Sequence, residues 1–231
     1  MLDAVLVKTL QVNEQKMNYY QGMNDVVAVF LLTLGPNMAY HASDVVSRFL
    51  LTDYLQMPFD QGLIPLFQLV FFLLKKVDPD LYSLVSDDGL QPMPMFVTSW
   101  ILTIFAHDIE NFEAVQNLYD VMLASHPLMI IYLVVAMIKI HEPELEEFAD
   151  EYQSSVCFFV FKAPIRKLDQ PHTVTELIAK ALEYEETNPI AALLDQAYEE
   201  EGIEVTERDR SPLRQLFAGQ LLNFDEGPYQ K

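Results

Sequence analysis

An all-α fold is predicted by three features of this 231-residue chain. Apolar residues recur at three-to-four spacing along most of its length, which places them on one side of successive helices. No alternating apolar–polar run bounded by turn residues marks a strand, and no repeat at a fixed period is present. The 13 prolines suit helix starts and interhelical turns, and only 7 residues are glycine, so low-complexity tracts are excluded. Hydrophobic residues make up 51% of the chain, enough for one large core or two small ones.

Leu2, Val5, Leu6 and Leu10 predict a first amphipathic helix, broken at Gln21-Gly22. Residues 26–34 continue as an apolar helix closed by Gly35-Pro36. A third begins at Asn37 or Ser43 and runs through Val45, Val46, Phe49, Leu50 and Tyr54 to Met57-Pro58. Residues 63–76 follow, with Lys75 and Lys76 where positive charge suits the helix dipole. Residues 79–85 form a short helix, and 86–92, rich in Asp, Gly and Pro, a turn. Helices are then expected over 94–107, around the single Trp100, over 111–124 and over 128–140.

Beyond His141 the composition shifts. Residues 142–209 hold 18 acidic and 5 basic residues, against 14 and 6 in residues 1–141, which predicts packed helices with a solvated acidic face. Apolar stripes support helices over 145–161 and 174–185. From about Glu204 the periodicity weakens and fraying is expected, although Leu213, Leu216, Phe217, Leu221 and Leu222 could form one last helix.

The formal charge of −20 argues against nucleic acid and against an anionic membrane surface, since both would repel the chain. The most apolar runs, 63–74 and 127–138, are shorter than the roughly 18 to 20 residues that span a bilayer, so no direct membrane insertion is expected. The single cysteine, Cys157, lies in an apolar run and reads as a small buried hydrophobe. No phosphate loop, nucleophile elbow, dinucleotide fingerprint or zinc-type His/Cys spacing is present. His107-Asp108 reads as a helix-end capping or dipole pair, and His141 with its glutamates as a solvated charge run. A self-contained hydrolase is not expected, and no cofactor or metal site is assigned.

One octet stands apart: Asn18-Tyr19-Tyr20-Gln21-Gly22-Met23-Asn24-Asp25, at the junction of two helices. Glycine lets the backbone turn there while a rigid frame holds the glutamine outward. A glutamine can orient an attacking water in phosphoryl transfer, and a partner protein can supply it. The octet also reads, by itself, as an interhelical turn with an exposed amide. A second landmark follows in order: Ser99-Trp100-Ile101-Leu102-Thr103-Ile104-Phe105, then Phe112 to Asp120 ending Leu118-Tyr119-Asp120.

Together these resemble the Tyr-x-Gln-Gly-Met-Asn and Arg-Trp-x3-Leu-Phe … Arg-Leu-Trp-Asp patterns of TBC-domain proteins, which accelerate GTP hydrolysis by Rab GTPases. Ser99 and Tyr119 stand where Arg and Trp are commoner. With Leu123-Ala124-Ser125-His126-Pro127-Leu128-Met129, they are similar to the branch acting on Rabs between endoplasmic reticulum and Golgi. The resemblance implies an irregular multi-helix fold, with a partial TBC domain over residues 1–160 and an acidic helical part over 161–231. It gives Gln21 the role of a glutamine finger. Tyr19 and Gly22 would shape the turn, and Tyr20, Asn24 and Asp25 would touch the GTPase or brace the loop. Trp100, Phe105 and Tyr119 would pack in the core, and Asp120 would brace the scaffold through a buried hydrogen bond. The partner would be a Rab-family GTPase that itself binds GTP and Mg²⁺. The expected location is cytoplasmic, at ER–Golgi membranes through partners or a missing anchor.

The family also inserts an arginine from a motif upstream of the glutamine. Here the first arginine is Arg48, so the resemblance implies an N-terminally incomplete domain and weak activity. The alternative is a catalytically inactive TBC-like module that only binds a GTPase or a membrane-traffic partner.

Overall fold

The computed structural model describes residues 1–12, 17–86, 93–152 and 171–205. The described residues are helical, with no strand among them, as the periodicity predicts. α1 (Leu2–Val12) lies along α2 (Met23–Phe49) and buries Val5 and Leu6. α2 begins at Met23 and is interrupted at Gly35 (φ 74°, ψ 170°), a conformation natural to glycine, with Pro36 next. The predicted break therefore exists, but the helix resumes at once. On either side of it α2 buries Val26, Val27, Val29 and Phe30, then Ala39, Tyr40, Ser43 and Val46.

The helix expected to continue through Tyr54 stops at Phe49 instead. The Leu51 amide donates to the Val46 carbonyl (3.0 Å) and the Thr52 hydroxyl to the Ser47 carbonyl (3.1 Å), which turns the chain into α3 (Thr52–Gln56) and α4 (Phe59–Gly62). By length and hydropathy alone α2 could cross a bilayer, with a mean hydropathy of 1.3. Gly35 divides it into two shorter pieces, each burying one side, and 39% of its apolar stretch is buried.

α5 (Ile64–Val77) carries Pro65 in its first turn and Lys75 and Lys76 in its last. It is buried on most sides, as is α9 (Met129–Ile140), in which every residue from Met129 to Ile138 is buried. These two helices pack together as the centre of the molecule. α6 (Pro79–Ser86) packs on α5, and α8 (Phe112–Ala124) starts where Asn111 Oδ1 accepts the Ala114 amide at 3.2 Å.

The helix expected over 94–107 is much shorter. A 3-10 turn (Met95–Val97) leads into α7 (Thr98–Thr103), which ends because Ile104 and Phe105 take the left-handed conformation, with φ of 50° and 62°. Apolar periodicity continues past that point, but the backbone leaves the helix to bury Ile104 and Phe105.

α10 (Glu142–Tyr152) packs against α6 and α9. α11 (Pro171–Thr187) lies along α9 and touches α8, burying Val174, Leu177 and Ala181. α12 (Ile190–Glu201) packs on α5 through Leu193, Leu194 and Ala197. It falls in the region 142–209 expected to pack as helices, although the sequence predicts no bounds for a helix here. Of the turn expected over 86–92, Ser86 is the last residue of α6 and the rest lies outside the described residues, as do Cys157 and the last expected helix.

Candidate functional site

The segment between α1 and α2 is held from below. The Asn18 amide donates to the Leu55 carbonyl at 2.8 Å, and Met17 and Met23 are buried on either side of the turn. Tyr20 donates its hydroxyl to the Leu102 carbonyl at 2.9 Å. Burial, with smaller pushes from Tyr19 and Asp25, raises the Tyr20 phenol well above its ordinary pKa, so it stays a donor. Gly22 follows with φ 109° and caps α2; its carbonyl accepts the Asp25 amide at 3.0 Å. Between these fixed points Gln21 is exposed, and its amide enters none of these bonds.

The outer side of the turn is a run of side-chain hydrogen bonds. Tyr19, 53% exposed, donates its hydroxyl to Asn24 Oδ1 at 3.0 Å. Asn24 Nδ2 donates to Asp25 Oδ1 at 2.6 Å, and Asp25 Oδ2 lies 2.8 Å from His107 Nδ1. Asp25 also stands in the first turn of α2, where negative charge suits the helix dipole.

The end of α7 is the platform beneath. Tyr119 donates its hydroxyl to the Thr103 carbonyl at 2.8 Å, next to the Leu102 carbonyl taken by Tyr20. Tyr20 thus satisfies a carbonyl of the interrupted helix, and Tyr119 shares the Thr103 carbonyl with the Ala106 amide, which donates to it at 3.1 Å. Burial raises the Tyr119 phenol as well, followed by the effects of Tyr20 and Asp25. Trp100 stacks on Phe105 with ring centroids 5.7 Å apart, and both are buried with Tyr119.

The octet's residues and the α7 landmark, about eighty positions apart in sequence, are therefore brought together. Asp120 departs from expectation: it is exposed on α8, because Leu118 and Tyr119 take the buried side and the next position turns outward. His107 is not a helix-end cap either, since α7 ends four residues before it and its ring faces Asp25. No short-range signal could have found that contact. Arg48 sits in the last turn of α2, at the far end of that helix from Gln21, and is paired with Asp44.

Residues 1–146 match the Rab-GTPase-TBC domain family. The chain belongs to this family. The TBC match takes in the Gln21 turn, α7, α8 and α9, while α11 and α12 lie beyond it in the same core. The chain is similar to TBC1 domain family member 20 of Bos taurus, 31% identical over 145 residues, which is 63% of this chain and 35% of that protein. The Homo sapiens protein of that name is 30% identical over the same length. GTPase-activating protein gyp10 of Schizosaccharomyces pombe is 33% identical over 114 residues, 49% of this chain and 30% of the yeast protein. The matched part of the TBC chain thus spans about a third of each relative.

Proposed function

We propose that this TBC domain activates GTP hydrolysis by a Rab-family GTPase of ER–Golgi traffic, supplying Gln21 in trans to align the attacking water. One observation carries the reading: Gln21 is exposed at the tip of a turn whose other members are buried or hydrogen-bonded. A pre-positioned amide has little conformational freedom to lose on entering a neighbour's nucleotide pocket. The relatives support the class of activity, one of them being named a GTPase-activating protein. The GTP and Mg²⁺ belong to the partner, and the place of action is the cytoplasmic side of the membrane that carries it.

An arginine finger is worth on the order of 10³ to 10⁵ in rate, or roughly 4 to 7 kcal/mol. Residues 1–47 contain no arginine, and Arg48 is engaged with Asp44. These 231 residues therefore supply the water-aligning half of the chemistry, and a modest acceleration is expected of them. A second reading is a module that binds the GTPase without catalysis.

Single-turnover GTP hydrolysis by a panel of Rab GTPases, with the wild-type chain and Gln21→Ala, separates the two. The activator reading expects an acceleration with one Rab that Gln21→Ala removes while binding persists. Equal rates with retained binding would leave only the module.

A further inference from the structure

We propose that His107 is a positioning residue for Gln21, an inference that rests on the finger reading above. The end of α7 and the turn after it support the Gln21 turn at three points. The Leu102 carbonyl accepts Tyr20, the Thr103 methyl backs Gly22, and His107 Nδ1 meets Asp25 Oδ2 at 2.8 Å. The first two hold the inner side of the turn. Only the third reaches its outer side, where Tyr19 and Asn24 meet solvent.

The bonds there are mutually dependent. Asp25 uses one carboxylate oxygen for Asn24 and the other for His107, so the imidazole sets the plane of the carboxylate. That plane orients the Asn24 amide, whose Nδ2 reaches Asp25 while its Oδ1 accepts Tyr19. Tyr19 and Asn24 bracket Gln21-Gly22 in sequence, so the chain His107–Asp25–Asn24–Tyr19 closes a strap around the finger. His107 itself is fixed: its amide donates to Thr103 Oγ1 at 3.2 Å, and that hydroxyl donates to the Ser99 carbonyl at 2.7 Å.

The His107 side chain is 64% exposed, and a contact so open to water adds little to global stability. Its effect falls on the geometry of the turn. A misplacement of about 1 Å costs up to roughly a hundredfold in rate where a reacting water must be aligned.

The test uses the whole chain carrying His107→Ala, His107→Asn, Gln21→Ala or the double change His107→Ala/Gln21→Ala. Amide hydrogen exchange over residues 19–24 is followed in the free protein, and single-turnover hydrolysis with the responsive Rab of the panel. His107→Ala is expected to speed exchange in the turn and lower the acceleration roughly tenfold, with Rab binding and melting temperature nearly unchanged. His107→Asn should restore both, because an asparagine places a nitrogen where Nδ1 stands. In the Gln21→Ala background, removing His107 should have no further effect on rate. Unchanged exchange with His107→Ala overturns the inference, as does a rate loss that persists without Gln21. If Gln21→Ala alone leaves the rate intact, it is the finger reading that falls, and exchange in the turn then decides the role of His107 by itself.

Discussion

Gly22 faces the Thr103 methyl so closely that a Cβ on it would stand 2.8 Å from Thr103 Cγ2. Its φ of 109° is also foreign to residues with a side chain. Gly22→Ala therefore combines a backbone penalty with a steric one and should destabilise the protein by about 1–3 kcal/mol. Thr103→Ser removes the methyl but keeps the hydroxyl, so the double substitution should recover only the steric part. Urea denaturation of the three variants checks this, and full recovery would show that the backbone term is absent.

Tyr20→Phe leaves the Leu102 carbonyl without its donor. The expected loss is about 1 kcal/mol, read as a lower denaturation midpoint at constant slope. Tyr119→Phe should cost less, because the Thr103 carbonyl keeps the Ala106 amide as a donor. The two differ in function: Tyr20 adjoins Gln21, so its loss should lower GTP hydrolysis more than its stability effect accounts for.

Asp108 carries a built-in pH dependence. Burial raises its pKa above the usual value; a Ser99 hydrogen bond and His107 offset part of that, and Asp25 adds to it. Its Oδ2 is buried without a hydrogen-bond partner. A carboxyl raised on folding favours the protonated native state, so its contribution weakens as pH climbs from the ordinary carboxylate value through the raised one. Asp108→Asn should therefore melt about 2–4 °C higher than wild type at neutral pH, with the gap closing toward pH 4. A constant gap across that range would contradict the assignment.

Lys139 bridges α9 to the start of α6 and to α10 through Asp78 and Glu142. Burial opposes the Asp78 carboxylate, yet Lys139 and the Leu81 and Asp80 amides together hold it below its usual range. Burial likewise opposes the Lys139 ammonium, and the two acids outweigh it and raise its pKa. A lowered carboxylate stabilises above its unfolded pKa and loses that contribution as pH falls through the folded value. Lys139→Met should cost about 1 kcal/mol at neutral pH and flatten the acid limb of the stability profile. Thermal melts between pH 2 and pH 7 would show it.

Much of this architecture was legible from periodicity. The Gly35-Pro36 break, the strongly apolar α9 and the Asn111 start of α8 follow from local rules of spacing and capping. The places where those rules failed share one cause. α7 stops at Thr103 where Ile104 and Phe105 turn left-handed and Tyr20 and Tyr119 bond its last carbonyls, and α2 gives way to α3 where Thr52 reaches back to Ser47. Helices are expected over 142–209, but the bounds of α12 are not, because its buried residues are set by packing against α5. At the site, the octet announced Gln21, but the link from Asp25 to His107 spans 82 positions and leaves no trace in local pattern.

The fastening of the Gln21 turn to α7, also across 82 positions, has a consequence for biosynthesis. A ribosome adding roughly 5–20 residues per second exposes the glutamine about 4–16 s before its mount is made. Until then the octet is an unsupported linker, and fragments ending before Thr98 would display the motif without its shape. Competence would thus appear only once the second landmark has been made and docks under the first.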